Sequence, residues 1–173
     1  MADLKAEIEE FFRQYSKRWN SQRYGTLEEL WDTSEEPFYR AMEMDRVITT
    51  WKDMRRYWNP GVKMIDGLWN IYRDLQVKLA GPDVAIVFFV LDWDIKIKYS
   101  RKGSSGSDPG MAVLRRMPDG WRMAAYVEAC MSPQVYVRKM FESQVRPSFV
   151  KFLEEIGPDP KVAEERKGRP DFW

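Results

Sequence analysis

At 173 residues the chain suits one domain, long enough to bury a substantial core. Its 28 Lys and Arg against 27 Asp and Glu leave a formal charge of +1, too little basic excess for a nucleic-acid surface. The sequence has no histidine, which removes Ser-His and Cys-His nucleophile pairs and every histidine metal site, and leaves Asp, Glu, Tyr, Lys and Arg for any acid–base chemistry.

Residues 3–20 are predicted to form an amphipathic helix. Leu4, Ile8, Phe11, Phe12, Tyr15 and Trp19 recur at spacings of three and four, one apolar stripe for the core. Asn20-Ser21-Gln22 ends it. Thr26 and Glu29 have the spacing of a capping box for a short second helix that buries Leu27, Leu30 and Trp31. A short strand is expected within 37–42. Thr50 is placed to cap a third helix, with Asp53 favouring its first turn and Asn59-Pro60-Gly61 stopping it. Another short strand is expected at 62–65, and 70–98 reads as two long strands joined at Ala80-Gly81-Pro82-Asp83. The Gly- and Ser-rich stretch 101–110 reads as a surface loop and lacks the spacing of a phosphate loop. A second hairpin, MAVLRRM and WRMAAYVEAC, turns at Pro118-Asp119-Gly120. Ser132-Pro133 opens a helix to about Val145, Pro147 interrupts it, Ser148 to Ile156 is helical again, and 159–173 is a polar tail.

Side chains alternate across a strand, so the faces of the first hairpin can be separated. Pairing Leu79 with Val84 gathers Ile71, Arg73, Leu75, Val77 and Leu79 on one face. From the second strand that face takes Val84, Ile86, Phe88, Val90, Asp92, Asp94 and Lys96. It is apolar near the turn and charged at its far end, as a pocket wall would be; a solvated strand end with a surface ion pair has the same pattern. The opposite face, Val87, Phe89, Leu91, Trp93 and Ile95, is too apolar for water and is expected to be buried in a homodimer. In the second hairpin, pairing Met117 with Trp121 puts Ala112, Leu114, Ala124, Tyr126, Glu128 and Cys130 together, with Met123 on the other side.

Aromatics make up 14% of the chain, with eight Trp. That richness suits a cavity for a flat apolar ligand, and equally a Trp-rich core with an oligomer interface. The single Cys130 allows no internal disulfide, the N-terminal residues lack the apolar core of a signal peptide, and no apolar run approaches a membrane span. The expected location is the cytoplasm, without membrane contact.

The order helix, helix, strand, helix, long antiparallel hairpins resembles the NTF2-like superfamily, and within it the SnoaL-like and ketosteroid-isomerase-like proteins. The stretches that carry this are RWNSQRYGTLEELWD, TWKDMRRYW, DLQVKLAGPDVAIV and AVLRRMPDGWRM, in that order, and it covers roughly 5–131. The resemblance implies an α+β cone, a curved antiparallel sheet wrapped around N-terminal helices. Residues 1–131 would form that domain and 132–173 a helical extension and tail of it. It further implies a small hydrophobic ligand and, in many members, chemistry without cofactor or metal through one carboxylate and Tyr or acidic donors. The histidines often found on the last strand in SnoaL-like proteins are replaced here by Ala125 and Val127, against a histidine-based cyclase mechanism. Aromatic content and the added C-terminal helices also resemble the sphingomonad diarylpropane lyases, which remove formaldehyde from a lignin-derived diaryl diol to give a stilbene.

The expected catalytic groups are Arg73, Asp92, Asp94, Tyr126 and Glu128. One carboxyl would be kept protonated by burial, another ionised beside Arg73, and Tyr126 would donate a hydrogen bond. Trp58, Trp69, Phe88, Lys96 and Tyr99 are the expected substrate contacts. The expected function is that of a cofactor-free lyase on an aromatic small molecule, with a binding protein, or an isomerase or dehydratase of steroid- or polyketide-like substrates, as alternatives. Residues 132–156 are expected to cap the cone or reach a partner.

Overall fold

A computed structural model of the chain describes residues 2–130 and 133–157. The chain divides into two compact units, Met1–Cys130 and Met131–Trp173. Among the described residues the first carries every strand.

It opens with helix α1 (Ala2–Asn20), whose predicted stripe is the buried one: Ile8, Phe12 and Tyr15 are at most 1% exposed. The expected second helix is instead two 3-10 turns, Tyr24–Thr26 and Glu28–Leu30. The capping box does not form, because the Thr26 hydroxyl donates back to the Arg23 carbonyl at 2.7 Å. Leu27, Leu30 and Trp31 are nonetheless buried as read. Strand β1 (Phe38–Arg40) follows, then helix α2 (Trp51–Met64). Thr50 caps α2 as expected: its Oγ1 accepts from the Asp53 N–H at 3.2 Å and donates to the Asp53 carboxylate at 3.1 Å. Pro60 does not end this helix. A proline forfeits one backbone hydrogen bond there, and the chain stays helical to Met64 before entering a strand at Ile65, so the expected 62–65 strand belongs to other elements.

The sheet has five strands in the order β1-β5-β4-β3-β2, with β2 (Ile65–Leu79), β3 (Val84–Ile97), β4 (Ser104–Met117) and β5 (Gly120–Glu128) antiparallel and β1 parallel to β5. Register corrects the reading of the first hairpin. Leu79 pairs with Ala85, not Val84, closed by a 2.9 Å bond from Ala80 N–H to the Val84 carbonyl. A one-residue slip exchanges the two faces. A bulge between Arg73 and Gln76, where Asp74 takes φ 54°, changes the phase of β2 a second time. Beyond Arg73 the two shifts cancel, so Arg73 faces Val90 and Ile71 faces Asp92 as the expected pairing had it. Ala85, Val87, Phe89 and Leu91, at most 3% exposed, point inward. The face expected to be a dimer interface is the core, packed on α1; the Phe12 ring lies 5.3 Å from Phe89 and 5.0 Å from Tyr72. Of the face expected to wall a pocket, Ile71, Arg73 and the β3 residues are on the outer side, while Leu75 and Val77 pack against the core.

Of the stretch 101–110 only 101–103 is a surface loop, since β4 begins at Ser104. Its glycines make room rather than flexibility. A Cβ on Gly106 would lie 2.3 Å from the Trp93 ring, and one on Gly110 would lie 2.3 Å from the Phe89 ring. Two inward aromatic rings lie flat across β4 because those positions have no side chain. In β5 a register shift near Val113 and Leu114 turns Met123 inward, against the simple alternation, while Tyr126 and Glu128 stay on the inner face as read.

The edge strand β2 is held by α1. The Asn20 side chain accepts from the Asn70 N–H at 2.7 Å and donates to the Asn70 carbonyl at 3.2 Å, supplying the partners that a neighbouring strand would. The sheet is strongly curled. Three interstrand steps of ~4.8 Å would separate β2 from β5 by ~14 Å if flat, yet the hydroxyls of Tyr72 on β2 and Tyr126 on β5 lie 3.1 Å apart across the concave face.

The second unit contains helices α3 (Pro133–Glu142) and α4 (Pro147–Ile156), with Pro147 in the first turn of α4 rather than before it. Gly157 ends α4 at φ 67°, its N–H reaching the Leu153 carbonyl at 3.1 Å. Ser132, the expected cap of α3, and the tail beyond 157 lie outside the described residues. Among the described residues no helix is long and apolar enough to cross a membrane.

Candidate functional site

A cavity of about 450 Å³ lies on the concave side of the sheet. Every layer of the first unit contributes to it: Trp19 from α1, Tyr39 from β1, Tyr57 from α2, Tyr72 from β2, Trp93 from β3 and Glu128 from β5. A larger groove of about 1000 Å³ runs between α1 and β2, but residues such as Lys5, Arg13 and Asp74 leave it a solvated surface.

Glu128 is the chemical feature of the cavity. It is 7% exposed, at the end of β5, and both carboxyl oxygens are engaged. Oε1 accepts from the Tyr126 hydroxyl at 2.6 Å and Oε2 from the Met42 N–H at 3.0 Å. Burial pushes its pKa up from 4.5 to about 7; Glu43 and Asp108 push the same way, while the two hydrogen bonds pull it down. A carboxyl poised there is half ionised at neutrality, the condition in which one group serves as acid and as base.

Tyrosines surround it. Tyr126, 1% exposed, stacks between Tyr39 and Phe89 with centroids 5.3 and 5.5 Å away. Burial raises the pKa of Tyr39, Tyr72 and Tyr126 well above its usual place, so all three remain neutral hydrogen-bond donors. Tyr57 donates to Glu43, an exposed carboxylate among the lining residues, at 2.7 Å. The Trp93 indole donates to Asp108, itself 4% exposed, at 2.5 Å and is thereby fixed against the wall. No lysine or arginine is found among the described lining residues. Asp32, also buried, is structural: against burial that would raise its pKa, Ser34 and Arg115, the latter at 2.6 Å, hold it ionised.

Of the five expected catalytic residues, the structure brings together Tyr126 and Glu128. Arg73, Asp92 and Asp94 share one face as expected, because the slip and the bulge cancel beyond Arg73, but that face is the outer one. Arg73 grips Asp92 with bonds of 2.6 and 3.1 Å and also pairs with Asp74. This pairing holds Asp92 below its usual pKa, while Asp94 is exposed. Their two-apart spacing put them side by side, as expected, but in solvent.

The expected substrate contacts lie elsewhere too. Trp58 is 4% exposed inside a tryptophan cluster with Trp31 and Trp51. Trp69 and Phe88, at 60% and 57% exposed, stand on the outer face with Lys96, whose ammonium reaches the carbonyls of Ile97 and Ser100. Tyr99 is 79% exposed. The cavity residues missing from the expectation are Trp19, Tyr39, Glu43, Tyr57, Tyr72 and Trp93. The expected pairing already sets Tyr72 opposite Leu91, and it is missing from the expectation because that face is read there as a dimer interface.

A scan of protein-family models finds no match to this chain, and a search of curated proteins finds none. Solved structures do match. A protein from Novosphingobium aromaticivorans DSM 12444, provisionally named a scytalone dehydratase, is 13% identical with a TM-score of 0.66, over 74% of this chain and 87% of that one. A provisionally named dehydratase of the NTF2-like family from Streptomyces avermitilis is 14% identical with a TM-score of 0.63, over 73% and 95%. An NTF2-like protein with a cystatin-like fold, also from N. aromaticivorans, is 19% identical with a TM-score of 0.57, over 78% and 86%. At such identities the likeness is one of fold, and the fold of this chain is the NTF2-like cone.

Proposed function

We propose that the protein is a cofactor-independent acid–base lyase acting on an uncharged, hydrophobic aromatic molecule. The observation that carries this is Glu128, a buried carboxyl with pKa about 7 opening on an aromatic-walled cavity. An anionic substrate would meet Glu43 and Glu128 with no opposing cation among the described lining residues, so an uncharged one is favoured. The names of two structural neighbours as dehydratases agree with elimination chemistry.

The finer reading is removal of formaldehyde from a diarylpropane diol to give a stilbene, and one carboxyl can serve it twice. Protonated Glu128 gives its proton to the benzylic hydroxyl, which leaves as water, while an electron-rich phenol ring stabilises the cation. Ionised Glu128 then takes the proton of the terminal hydroxyl. The C–C bond to that carbon breaks, formaldehyde departs, and the bond's electron pair forms the alkene. The diol becomes stilbene, water and formaldehyde, and Glu128 regains its proton.

Purified protein without added metal or cofactor, given a 1,2-diarylpropane-1,3-diol with a free phenol, is expected to release formaldehyde and stilbene in equal amounts. Dehydration without formaldehyde would move the reading to a dehydratase. Tight binding of the diol with no product would replace it with a binding protein.

A further inference from the structure

Glu128 and Tyr72 both line the cavity, on strands at opposite sides of the sheet, whereas Tyr126 does not line it and is sealed between them. The three form a chain: Tyr126 lies 2.6 Å from Glu128 Oε1 and 3.1 Å from the Tyr72 hydroxyl, and either tyrosine of that second contact can donate. Oε2 has a fixed partner, because the Met42 N–H can only donate.

We propose that Tyr126 is a positioning residue that couples the two, so that Tyr72 presents an acceptor to the cavity when Glu128 is ionised and a donor when Glu128 is protonated. With Glu128 ionised, Tyr126 donates to Oε1, and the free lone pair of Tyr126 draws the Tyr72 hydrogen. With Oε2 held by Met42, the proton of neutral Glu128 sits on Oε1 and points at Tyr126 until it turns to a ligand hydroxyl to be given up. Tyr126 then turns its own hydrogen to Tyr72, and the Tyr72 hydrogen is released toward the ligand. Each hydroxyl rotates and keeps its proton; no bond to oxygen is broken.

The consequence is a two-point grip. As Glu128 takes a proton from one part of a ligand, Tyr72 across the cavity becomes able to donate to oxygen on another part. The ligand class this suits is an uncharged aromatic molecule with two oxygen functions, one hydroxyl to deprotonate and one acceptor. This rests on Glu128 being the acid–base group of the cavity, but not on any turnover.

The other groups facing Glu128 do not provide the same link. Glu43 is committed to Tyr57 and Asp108 to Trp93, while Tyr15 and Tyr39, like Tyr72, feel the charge of Glu128 but have no hydrogen bond to it. Buried tyrosines also stay neutral across the range in which Glu128 titrates.

The test uses the intact protein with 13C at the tyrosine ζ carbon. The Tyr72 resonance is expected to move with pH at the midpoint of Glu128, and to stop moving in Tyr126→Phe, which keeps both ends and removes the link. A Tyr72 resonance that does not move, or that moves equally in Tyr126→Phe, would overturn the coupling in favour of no link or a through-space field. A second readout is the affinity for benzophenone, which offers one uncharged acceptor. It is expected to weaken about threefold to tenfold as pH rises through the Glu128 midpoint, the value of one hydrogen bond. That dependence should vanish in both Tyr72→Phe and Tyr126→Phe. Its persistence in Tyr72→Phe would show Glu128 donating directly and overturn the role given to Tyr72. Absence of lyase activity would leave all of these readouts in place.

Discussion

Glu128→Gln is expected to lower turnover on the true substrate by about 10²–10⁴-fold, the usual contribution of one positioned acid–base group. Gln keeps the length of Glu, can still accept from the Met42 N–H and can still donate to the Tyr126 hydroxyl, so the cavity wall survives. The affinity for an aromatic ligand should therefore change little, and the loss should fall on kcat. Asp92→Asn and Asp94→Asn serve as comparisons. Both residues stand on the outer face, and both variants should retain wild-type turnover. Steady-state kinetics beside equilibrium binding of a non-reacting diaryl ligand separates the outcomes. Full turnover in Glu128→Gln, or a large loss in Asp92→Asn, would remove Glu128 from its role.

The same substitution should make the protein more stable at alkaline pH. Burial raises the Glu128 pKa from 4.5 to about 7 in the folded state, so the folded chain holds a proton that the unfolded chain has lost. Its stability relative to the variant is thus complete below pH 4.5, declines as pH rises to about 7, and is level above. The decline amounts to about 3 kcal/mol, from the size of the shift. Urea unfolding of wild type and Glu128→Gln at pH 4.5 and pH 8.5 measures it. The gap between the two proteins should move by about that amount in favour of the variant; parallel behaviour at both values would mean that Glu128 is not buried as described. A site that carries such a cost is one where stability has given way to chemistry.

Much of the fold was legible because periodicity reports burial. The α1 stripe from Ile8 to Trp19, the cap at Thr50 and the two-apart pair Tyr126 and Glu128 on β5 follow from spacing alone. The hairpin of β2 and β3 was not legible in the same way. Near the turn β2 alternates, with Gln76 and Lys78 on one face, but β3 is apolar on both faces, so the pattern does not choose between Leu79 opposite Val84 and Leu79 opposite Ala85. The bulge at Asp74 then reversed the faces of β2 again, which restored the expected pairing at Arg73 and Tyr72; what the pattern hid there is which of two half-apolar faces is the concave one. Gly106 and Gly110 misled for another reason: a glycine needed to receive an aromatic ring has the same composition as one in a loop. The site draws Tyr39, Tyr57 and Tyr72 from three separate elements, and no local spacing relates them.

The central claim is that one buried carboxyl titrates near neutrality inside the cavity. Infrared difference spectra against pH, taken for wild type and for Glu128→Gln, observe that carboxyl directly. A protonated-carboxyl band present in wild type and missing from the variant should fade with a midpoint near pH 7. The same band fading near pH 4.5, or no band that the substitution removes, would contradict the account.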